Sequence, residues 1–393
     1  MNQLPELYIS ADSHVVEPKE LWLTRMDRRF RGRAPRILSR PDGDYFAIEG
    51  VEPFSISPLG AMIQDKVAGR EVATRTGKRA GDMRAGAWQA GPRLADQQLD
   101  HIRAEVLYPG YGLVIFGAPD PEYQLACFQC YNDWLSEFCV ELDGRALGAA
   151  VLPGNCPIEV MVREAQRIAR KPGLRSVMLV NNPVGRPYTS PVYDPLWAAL
   201  SELDLPIAIH MGTSTGEQLK DRIERFGGVY GVHLVDNRMG NAMRLLAQFI
   251  FGAVTQRFPR LRLVMVESGI GWIAGVLHFL DHWWTENRLW MEPRIDEKPS
   301  VFFKRNFWAT FEDDRAGIMT RHLLNLDHLM WGSDYPHTEG TFPHSREQIT
   351  RDFADVPPAE VRKMVSDNAA AMYGFGLEGG RRPAAELTND RCN

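Results

Sequence analysis

The chain has 393 residues, of which 44% are hydrophobic and 24% are charged, and its formal net charge is −5. This composition is typical of a folded globular protein with a large core, and its slight acidity argues against nucleic acid as a partner. No apolar run approaches the roughly 18 residues that a membrane helix needs, and no signal peptide is evident, so we expect a cytoplasmic protein without a membrane partner.

Short apolar runs alternate with longer helical patterns along the chain, which indicates a parallel sheet with crossover helices. Several runs are almost continuously apolar, as strands buried on both faces are. Eight such runs predict a (β/α)8 TIM barrel of the α/β class. The predicted strands are Leu7–Ala11, Glu105–Pro109, Ala146–Leu152, Ser176–Val180, Pro206–His210, Leu261–Glu267, Phe307–Phe311 and His328–Ser333.

Three stretches are longer than a bare barrel requires, and loops of this length are usually functional in a compact domain. We predict insertions after strands 1, 5 and 6. The first covers residues 25–95 and contains a small hairpin near Asp44–Gly50, and the others are Thr213–Gly240 and Asn287–Arg305. We expect one barrel domain over residues 1–376, with a closing C-terminal helix at Pro358–Tyr373, and a tail over residues 377–393.

The five cysteines are scattered and odd in number, which is typical of reduced thiols in the cytoplasm. Cys127 and Cys130 are the one close pair. They lie in the amphipathic run Tyr123–Leu142, so we predict that both sulfurs pack in the core from one helix face. A zinc site would need a second pair, and the sequence has none.

Polar residues stand at the ends of four predicted strands, where the catalytic groups of such barrels lie. They are Asp12 with His14, then His210, Glu267 and Asp334. Side chains at positions i and i+2 share one side of a strand, so Asp12 and His14 point together into the barrel mouth. Burying these carboxylates and imidazoles together is costly unless a cation balances them, and both groups are suitable ligands for a divalent metal.

These segments resemble the amidohydrolase-related family, which includes aminocarboxymuconate-semialdehyde decarboxylase and the aromatic-acid decarboxylases. The resemblance spans nearly the whole chain outside the insertions. It implies that Asp12, His14, His210 and Asp334 bind a divalent metal, zinc or manganese, and that a water or substrate oxygen completes the coordination. The segments that carry it are Asp12–Pro18, Ile209–Gly212, Arg257–Leu261, Gly332–His337 and Asp367–Ala369.

Two positions depart from the pattern of that family. Asp12 stands where many relatives have His, although some decarboxylases carry a carboxylate there. Glu267 stands where the family's decarboxylases carry a His that is thought to protonate the ring carbon or activate water. A carboxylate acts as a general base, or as a general acid if burial raises its pKa. We therefore predict Glu267, Asp334 and His210 as catalytic residues of a hydrolase or a decarboxylase-like carboxy-lyase.

Two further hypotheses remain open. In one, Glu267 bridges two metals, and His233 and His337 either complete the second site or orient the first. Some relatives of this family are dinuclear iron or iron–manganese oxygenases, and a mouth rich in carboxylates resembles what they need. In the other hypothesis, the chain is a non-catalytic partner subunit that keeps a structural metal.

The sequence says less about the substrate than about the metal site. We predict that Arg238 pairs with a substrate carboxylate and that Trp272 and Trp308 line the pocket of a small aromatic or carboxylated molecule. We also expect a homo-oligomer, most simply a dimer, or a hetero-oligomer with a related subunit.

Overall fold

Eight parallel strands follow one another in chain order, and each is hydrogen-bonded to the next. The computed structural model describes residues 5–57, 77–181, 183, 185–213, 224–225 and 227–376. The barrel strands are Tyr8–His14, Ile102–Tyr108, Ala146–Val151, Leu174–Leu179, Ile207–His210, Leu263–Val266, Phe307–Phe311 and Leu329–Trp331. The predicted barrel and all eight of its strands are confirmed.

The barrel closes between its first strand and the segment after its last strand. The Asp334 N–H donates to the Asp12 carbonyl oxygen at 2.8 Å, and the His14 N–H donates to the Tyr335 carbonyl oxygen at 2.5 Å. Ser13 and Tyr335 form a parallel bridge at the same place. The two ends of the sheet therefore meet through the residues that the sequence assigns to the metal centre.

Helices cover the outside of the barrel, and most of them follow a strand as predicted. In the described ranges, no helix is both long enough and apolar enough to cross a bilayer. The principal helices are Ala90–Leu99, Pro121–Glu141, Ile158–Ile168, Asp194–Glu202, Tyr230–Val235, Asn241–Phe251, Ile273–Asn287, Pro299–Asn306, Arg315–Thr320, Ser345–Asp352, Pro358–Arg362 and Asn368–Tyr373.

The insertion after the first strand contains the predicted hairpin, in which Arg36–Arg40 pairs with Gly43–Ala47 and Phe54–Ser55 adds a third short strand. The helix Ala90–Leu99, which the sequence pattern did not predict, begins in this insertion and continues past its predicted end at residue 95. Residues 58–76 of this insertion, 214–223 of the second one and the tail 377–393 lie outside the described residues.

The paired cysteines behave as the helical pattern predicts. Cys127 and Cys130 lie on the helix Pro121–Glu141, where both are buried as free thiols. Burial raises the pKa of Cys130 to about 11, so this thiol stays protonated and packs as an apolar group.

Gly332 provides a test of how tightly the barrel closes at the metal centre. A Cβ atom at this position would lie 2.5 Å from Asp12 Cβ and 3.0 Å from Asp12 N. Gly332→Ala should therefore displace the first strand and lower the free energy of unfolding by about 1–3 kcal/mol, the usual range for overpacking. Urea denaturation measures this change.

Gly91→Ala is the matched control, because no atom lies within 4 Å of a Cβ there. This exposed helical site should be neutral or slightly stabilised by alanine. Equal stability of Gly332→Ala and the wild type would show that the closure tolerates more space than the structure gives it.

Candidate metal centre

Two imidazoles face each other at the centre of the barrel mouth. His14 Nε2 lies 3.0 Å from His210 Nε2, and both side chains are buried. His14 Nδ1 donates to the Pro109 carbonyl oxygen at 2.8 Å, and His210 Nδ1 donates to the Met211 carbonyl oxygen at 2.7 Å. A carbonyl oxygen only accepts, so a neutral ring carries its proton on Nδ1 and turns a lone pair towards the other ring. A cation between the two nitrogens relieves this repulsion.

Asp12 presents a carboxylate to the same point. Its Oδ1 lies 3.8 Å from Nε2 of both His14 and His210. The side chain is only 1% exposed, and this oxygen has no hydrogen-bond partner among the described residues. A buried carboxylate oxygen that lacks a donor is costly, so this atom fits a metal ligand. The donor set of two imidazoles and a carboxylate is one that zinc and manganese accept.

Asp334 approaches the centre from the loop after the eighth strand. Its Oδ1 lies 3.5 Å from His14 Nε2 and accepts a hydrogen bond from His337 Nδ1 at 2.8 Å. The ring of His337 stacks near that of His14, with 4.1 Å between the centroids. His337 therefore lies beside the predicted ligands and orients one of them.

The electrostatic environment favours the neutral form of His14, which is the form that can bind a metal. Burial lowers the pKa of His14 well below its usual range, and the charges of His337 and His210 act in the same direction. Burial also lowers the pKa of His210, but the nearby carboxylate of Asp12 and the charge of Glu267 outweigh it and raise that pKa. The carboxylates thus favour positive charge at the point where the imidazoles meet.

Glu267 lies beside His210, with 3.6 Å between Oε2 and Nε2. Its backbone has a φ of +57°, and Asp334 has a φ of +53°, which is the left-handed region that residues other than glycine rarely adopt. The Glu267 N–H donates to Thr310 Oγ1 at 2.8 Å, which holds the turn in place. Burial raises the pKa of the Glu267 carboxyl well above its usual range, with the charge of Asp334 as the next cause.

Glu312 is a site residue that the sequence reading missed. It follows the seventh strand directly, and its carboxylate lies within 4.8 Å of those of Glu267 and Asp334. Burial raises its pKa well above the usual range, and the charges of Asp334 and Asp12 add to the effect. Its place at a strand end is the same signal that identified Asp12, His210 and Asp334.

Arg238 is the cation beside these acids. It lies in the helical turn Asp236–Gly240, and its Nη2 is 2.8 Å from Glu267 Oε1 and 2.7 Å from Glu339 Oε1. The side chain is 32% exposed, so it stands at the entrance to the centre. Its Nε–H has no partner within the described part of the chain.

Three other predicted residues have different outcomes. His233 is buried but belongs to none of the three groups of candidate ligands found in the described ranges. Trp272 begins the helix after the sixth strand, near the mouth, and its Nε1–H donates to the Ser268 carbonyl oxygen at 2.9 Å. The structure does not bring Trp308, a predicted pocket residue, to the mouth. Trp308 lies at the start of its strand, away from the mouth, and stacks on His328 with 3.7 Å between the centroids.

A buried ion pair between Arg93 and Glu105 lies next to the backbone of His14. Arg93, which is fully buried, donates from Nε and Nη2 to the two oxygens of Glu105 at 3.0 and 2.6 Å. Its Nη1 donates to the His14 carbonyl oxygen at 2.7 Å, and the guanidinium lies 4.7 Å from the centroid of the Tyr335 ring. One side chain from the helix Ala90–Leu99 therefore contacts the backbone of His14 and the ring of Tyr335, in the two segments that hold the predicted ligands.

The fold and the site define a (β/α)8 barrel with a carboxylate–imidazole centre at the carboxyl ends of its strands. The amidohydrolase family model matches residues 63–375, and the chain belongs to this family. Among characterised relatives, the gamma-resorcylate decarboxylase of Rhodococcus jostii (strain RHA1) is 24% identical over 280 residues, which cover 65% of this chain and 78% of that protein. The gamma-resorcylate decarboxylase of Rhizobium radiobacter is 24% identical over 241 residues, covering 56% of this chain and 68% of the relative.

Solved structures show the same fold. An amidohydrolase from Mycobacterium avium subsp. paratuberculosis K-10 superposes with a TM-score of 0.75 at 21% identity, covering 95% of this chain and 100% of the other. The 5-carboxyvanillate decarboxylase of Sphingomonas paucimobilis gives a TM-score of 0.67 at 20% identity, with 95% and 100% covered. The 5-carboxyvanillate decarboxylase of Novosphingobium aromaticivorans, solved with manganese, gives 0.65 at 18% identity, with 95% and 98% covered.

The Arg93–Glu105 pair generates a prediction about how the centre is held. Arg93→Met leaves Glu105 buried without its cation and should lower the free energy of unfolding by about 3–5 kcal/mol. It should also weaken metal binding, because the His14 carbonyl loses its donor. Chemical denaturation and metal titration measure the two effects separately.

The double variant Arg93→Met/Glu105→Leu is the control. It also removes the unpaired carboxylate of Glu105 and should therefore recover most of the lost stability, while metal binding stays weak. Metal affinity equal to that of the wild type in the double variant would show that Arg93 has no part in positioning His14.

Proposed function

We propose that this protein is a metal-dependent carboxy-lyase that removes a carboxylate group from a small aromatic acid. The observation that carries the proposal is the pair of imidazole Nε2 atoms held 3.0 Å apart, beside the Oδ1 of buried Asp12, which has no hydrogen-bond partner among the described residues. Relatives named as gamma-resorcylate and 5-carboxyvanillate decarboxylases support the reaction class. The same centre would also suit hydrolysis, and a direct assay for released CO2 separates the two reactions.

Asp12, His14, His210 and Asp334 are the proposed metal ligands, and zinc or manganese is the proposed metal. The manganese in one decarboxylase structure of this fold supports the second choice. A divalent ion in such a site polarises a substrate oxygen and stabilises the negative charge that develops there.

Arg238 is the proposed anchor for the substrate carboxylate. Its side chain is 32% exposed, and its buried Nε–H has no partner among the described residues, whereas Nη2 is paired with Glu267 and Glu339. A planar guanidinium binds a carboxylate through two parallel hydrogen bonds. Trp272, at the start of the helix after the sixth strand, remains a predicted wall of the same pocket.

Glu267 is the proposed proton donor. It occupies the place where the family's decarboxylases carry a histidine, and its burial beside Asp334 favours the protonated form. The bond between the ring and the carboxylate breaks, its electron pair stays on the ring carbon, and that carbon takes the proton of Glu267. The products are CO2 and the ring bearing hydrogen, and solvent returns the proton to Glu267.

A second candidate function is favoured by the acids around Glu267. Glu267, Glu312 and Asp334 bring their oxygens within 4.8 Å of one another, with Glu267 and Asp334 buried and Glu312 half-buried. Three carboxylates so close together call for additional positive charge. In this alternative, the protein would be a dinuclear iron or iron–manganese oxygenase, and Glu267 would be the bridging ligand that holds the two ions. His337 would assist it through Asp334. His233 lies outside the candidate ligand groups of the described residues, so Glu312 replaces it in this proposal.

Asp334→Asn tests the metal site. Asparagine tolerates the left-handed backbone of this position, so the fold should persist while the charge is lost. We expect metal content to fall from about one equivalent per chain to a small fraction, and decarboxylation to be abolished. Metal is measured by mass spectrometry after dialysis, and folding by circular dichroism.

Asp313→Asn is the matched control, because Asp313 is an exposed carboxylate one residue after Glu312, paired only with Arg351 in the described structure. This variant should keep full metal and full activity. Stoichiometric metal in Asp334→Asn would contradict the ligand assignment.

Glu267→Gln distinguishes the two candidate functions. For a proton donor, the rate of CO2 release from gamma-resorcylate or 5-carboxyvanillate should fall by about 10²–10⁴-fold while the metal content is unchanged. In D2O the wild type should place one deuterium on the carbon that lost the carboxylate. For a bridging ligand, one of two metal equivalents should be lost instead.

Glu339→Gln is the control, because Glu339 is the other carboxylate that pairs with Arg238. Glu339 is 58% exposed and belongs to none of the candidate ligand groups among the described residues. It should change KM more than kcat. Retention of wild-type turnover in Glu267→Gln would overturn the proton-donor role.

A further inference from the structure

A small polar cavity lies between the helix Ala90–Leu99 and the segment after the eighth strand. It has room for about one water molecule. None of the predicted metal ligands lines it, so it is distinct from the candidate metal centre. The charged and polar side chains around it include Arg93, Asp96, Gln97, Asp100, Glu105 and Tyr335.

The charges around this cavity do not cancel. Arg93 Nη2 lies 2.6 Å from Glu105 Oε2, and Arg84 Nε lies 2.8 Å from Asp96 Oδ2. These contacts pair two of the three carboxylates that line the cavity with one guanidinium each. The third carboxylate, Asp100, forms no ion pair with a lysine or an arginine in the described part of the chain. One negative charge is therefore left over.

Asp100 is thus a carboxylate that the fold buries without a counter-charge. The residue is 2% exposed. Within the described ranges its hydrogen bonds come from Ser345, from N to Oδ1 at 3.0 Å and from Oγ to Oδ2 at 2.5 Å. Burial raises the pKa of Asp100 to about 7, although these hydrogen bonds lower it, and the charges of Glu347 and Glu105 raise it further. A buried, unpaired carboxylate is costly, so this group needs a positive charge or a proton.

Gln97 places a second unsatisfied acceptor at the same cavity. The residue is 3% exposed, and its Nε2 donates to the Glu105 carboxylate and, at 3.1 Å, to the Arg145 carbonyl oxygen. Only the nitrogen of an amide donates, so these contacts fix the orientation of the side chain. Its Oε1 is buried and has no hydrogen-bond partner among the residues that the structure describes.

We propose that this cavity binds one monovalent alkali cation, sodium or potassium, through the oxygens of Asp100 and Gln97. Carboxylate and amide oxygens are the ligands that hard cations prefer. One unit of positive charge matches the one unpaired carboxylate, whereas a divalent ion would leave excess positive charge beside Arg93. A proton on Asp100 would remove its charge but leave Gln97 Oε1 without a partner. A neutral water would leave the charge in place.

A cation at this place acts on the segment that carries Asp334. Ser345 Oγ lies 2.6 Å from Thr341 Oγ1, and the Thr341 N–H donates to the Ser333 carbonyl oxygen at 2.8 Å. Ser333 directly precedes Asp334. Balancing the charge of Asp100 while its oxygens still accept from Ser345 therefore stabilises residues 333–345, whichever reaction the metal centre catalyses.

The melting temperature of the full-length, manganese-loaded protein tests the proposal. In about 100 mM sodium or potassium chloride, the wild type should melt about 2–4 °C higher than in choline chloride of equal concentration, because a ligand of the folded state raises its stability. Choline is too large for the cavity. The larger of the two shifts identifies the cation that the site prefers.

Asp100→Asn should abolish this shift, because asparagine keeps an acceptor for the Ser345 N–H but carries no charge. Gln97→Met, which removes the other proposed ligand, should abolish it as well. In sodium chloride, the sodium NMR line should broaden with the wild type and stay narrow with either variant.

Asp327→Asn is the matched control, because Asp327 is 62% exposed and pairs with Lys363 at the surface. It should keep the full shift. Equal melting temperatures of the wild type in the three salts would overturn the proposal and show that Asp100 takes up a proton instead. A shift in Asp100→Asn as large as that of the wild type would also overturn it, because the cation would then act elsewhere.

Discussion

The site depends on one electrostatic constraint, the opposition of two imidazole nitrogens in a space closed to water. His14 and His210 each use Nδ1 to bind a backbone carbonyl oxygen, and this fixes both rings with Nε2 towards the centre. Neither ring can turn away without abandoning a buried hydrogen bond. Asp12 and Asp334 add carboxylate oxygens around the same point. The arrangement is stable only with positive charge at its middle, so the protein is organised around a cation.

The backbone is strained at two acidic residues of the site, Glu267 and Asp334. Glu267 and Asp334 both have left-handed backbones, each of which costs on the order of 1–3 kcal/mol for a residue with a side chain. The closure of the barrel and the hydrogen bond from the Glu267 N–H to Thr310 hold these turns. Strained residues are common at catalytic sites because the strain aims a side chain that an ordinary turn would direct elsewhere. Both residues carry the proposed chemistry.

Much of the fold and about half of the site could be predicted from the sequence. The strands were recoverable because they are buried on both faces and therefore nearly continuous in apolar residues. Asp12 and His14 could be predicted from strand alternation and from their place at a strand end. Glu312 also lies at a strand end, but the prediction missed it because no family motif includes it. The predicted strand Phe307–Phe311 already has Trp308 near its start, so a place at the mouth conflicts with the strand prediction itself. The contact of Arg93 with His14 joins an insertion to the barrel, and local patterns carry no information about such a pairing.

The bonds that close the barrel also have a consequence for when the centre can form. Asp12 and Asp334 are 322 positions apart in the chain, yet the backbone of one is hydrogen-bonded to the backbone of the other. During synthesis at about 5–20 residues per second, the first two proposed ligands are made tens of seconds before the last. A metal ion that arrives early meets only a partial set of ligands, which binds loosely and leaves exchange open. Only the finished barrel therefore presents the whole proposed set of ligands to a metal ion.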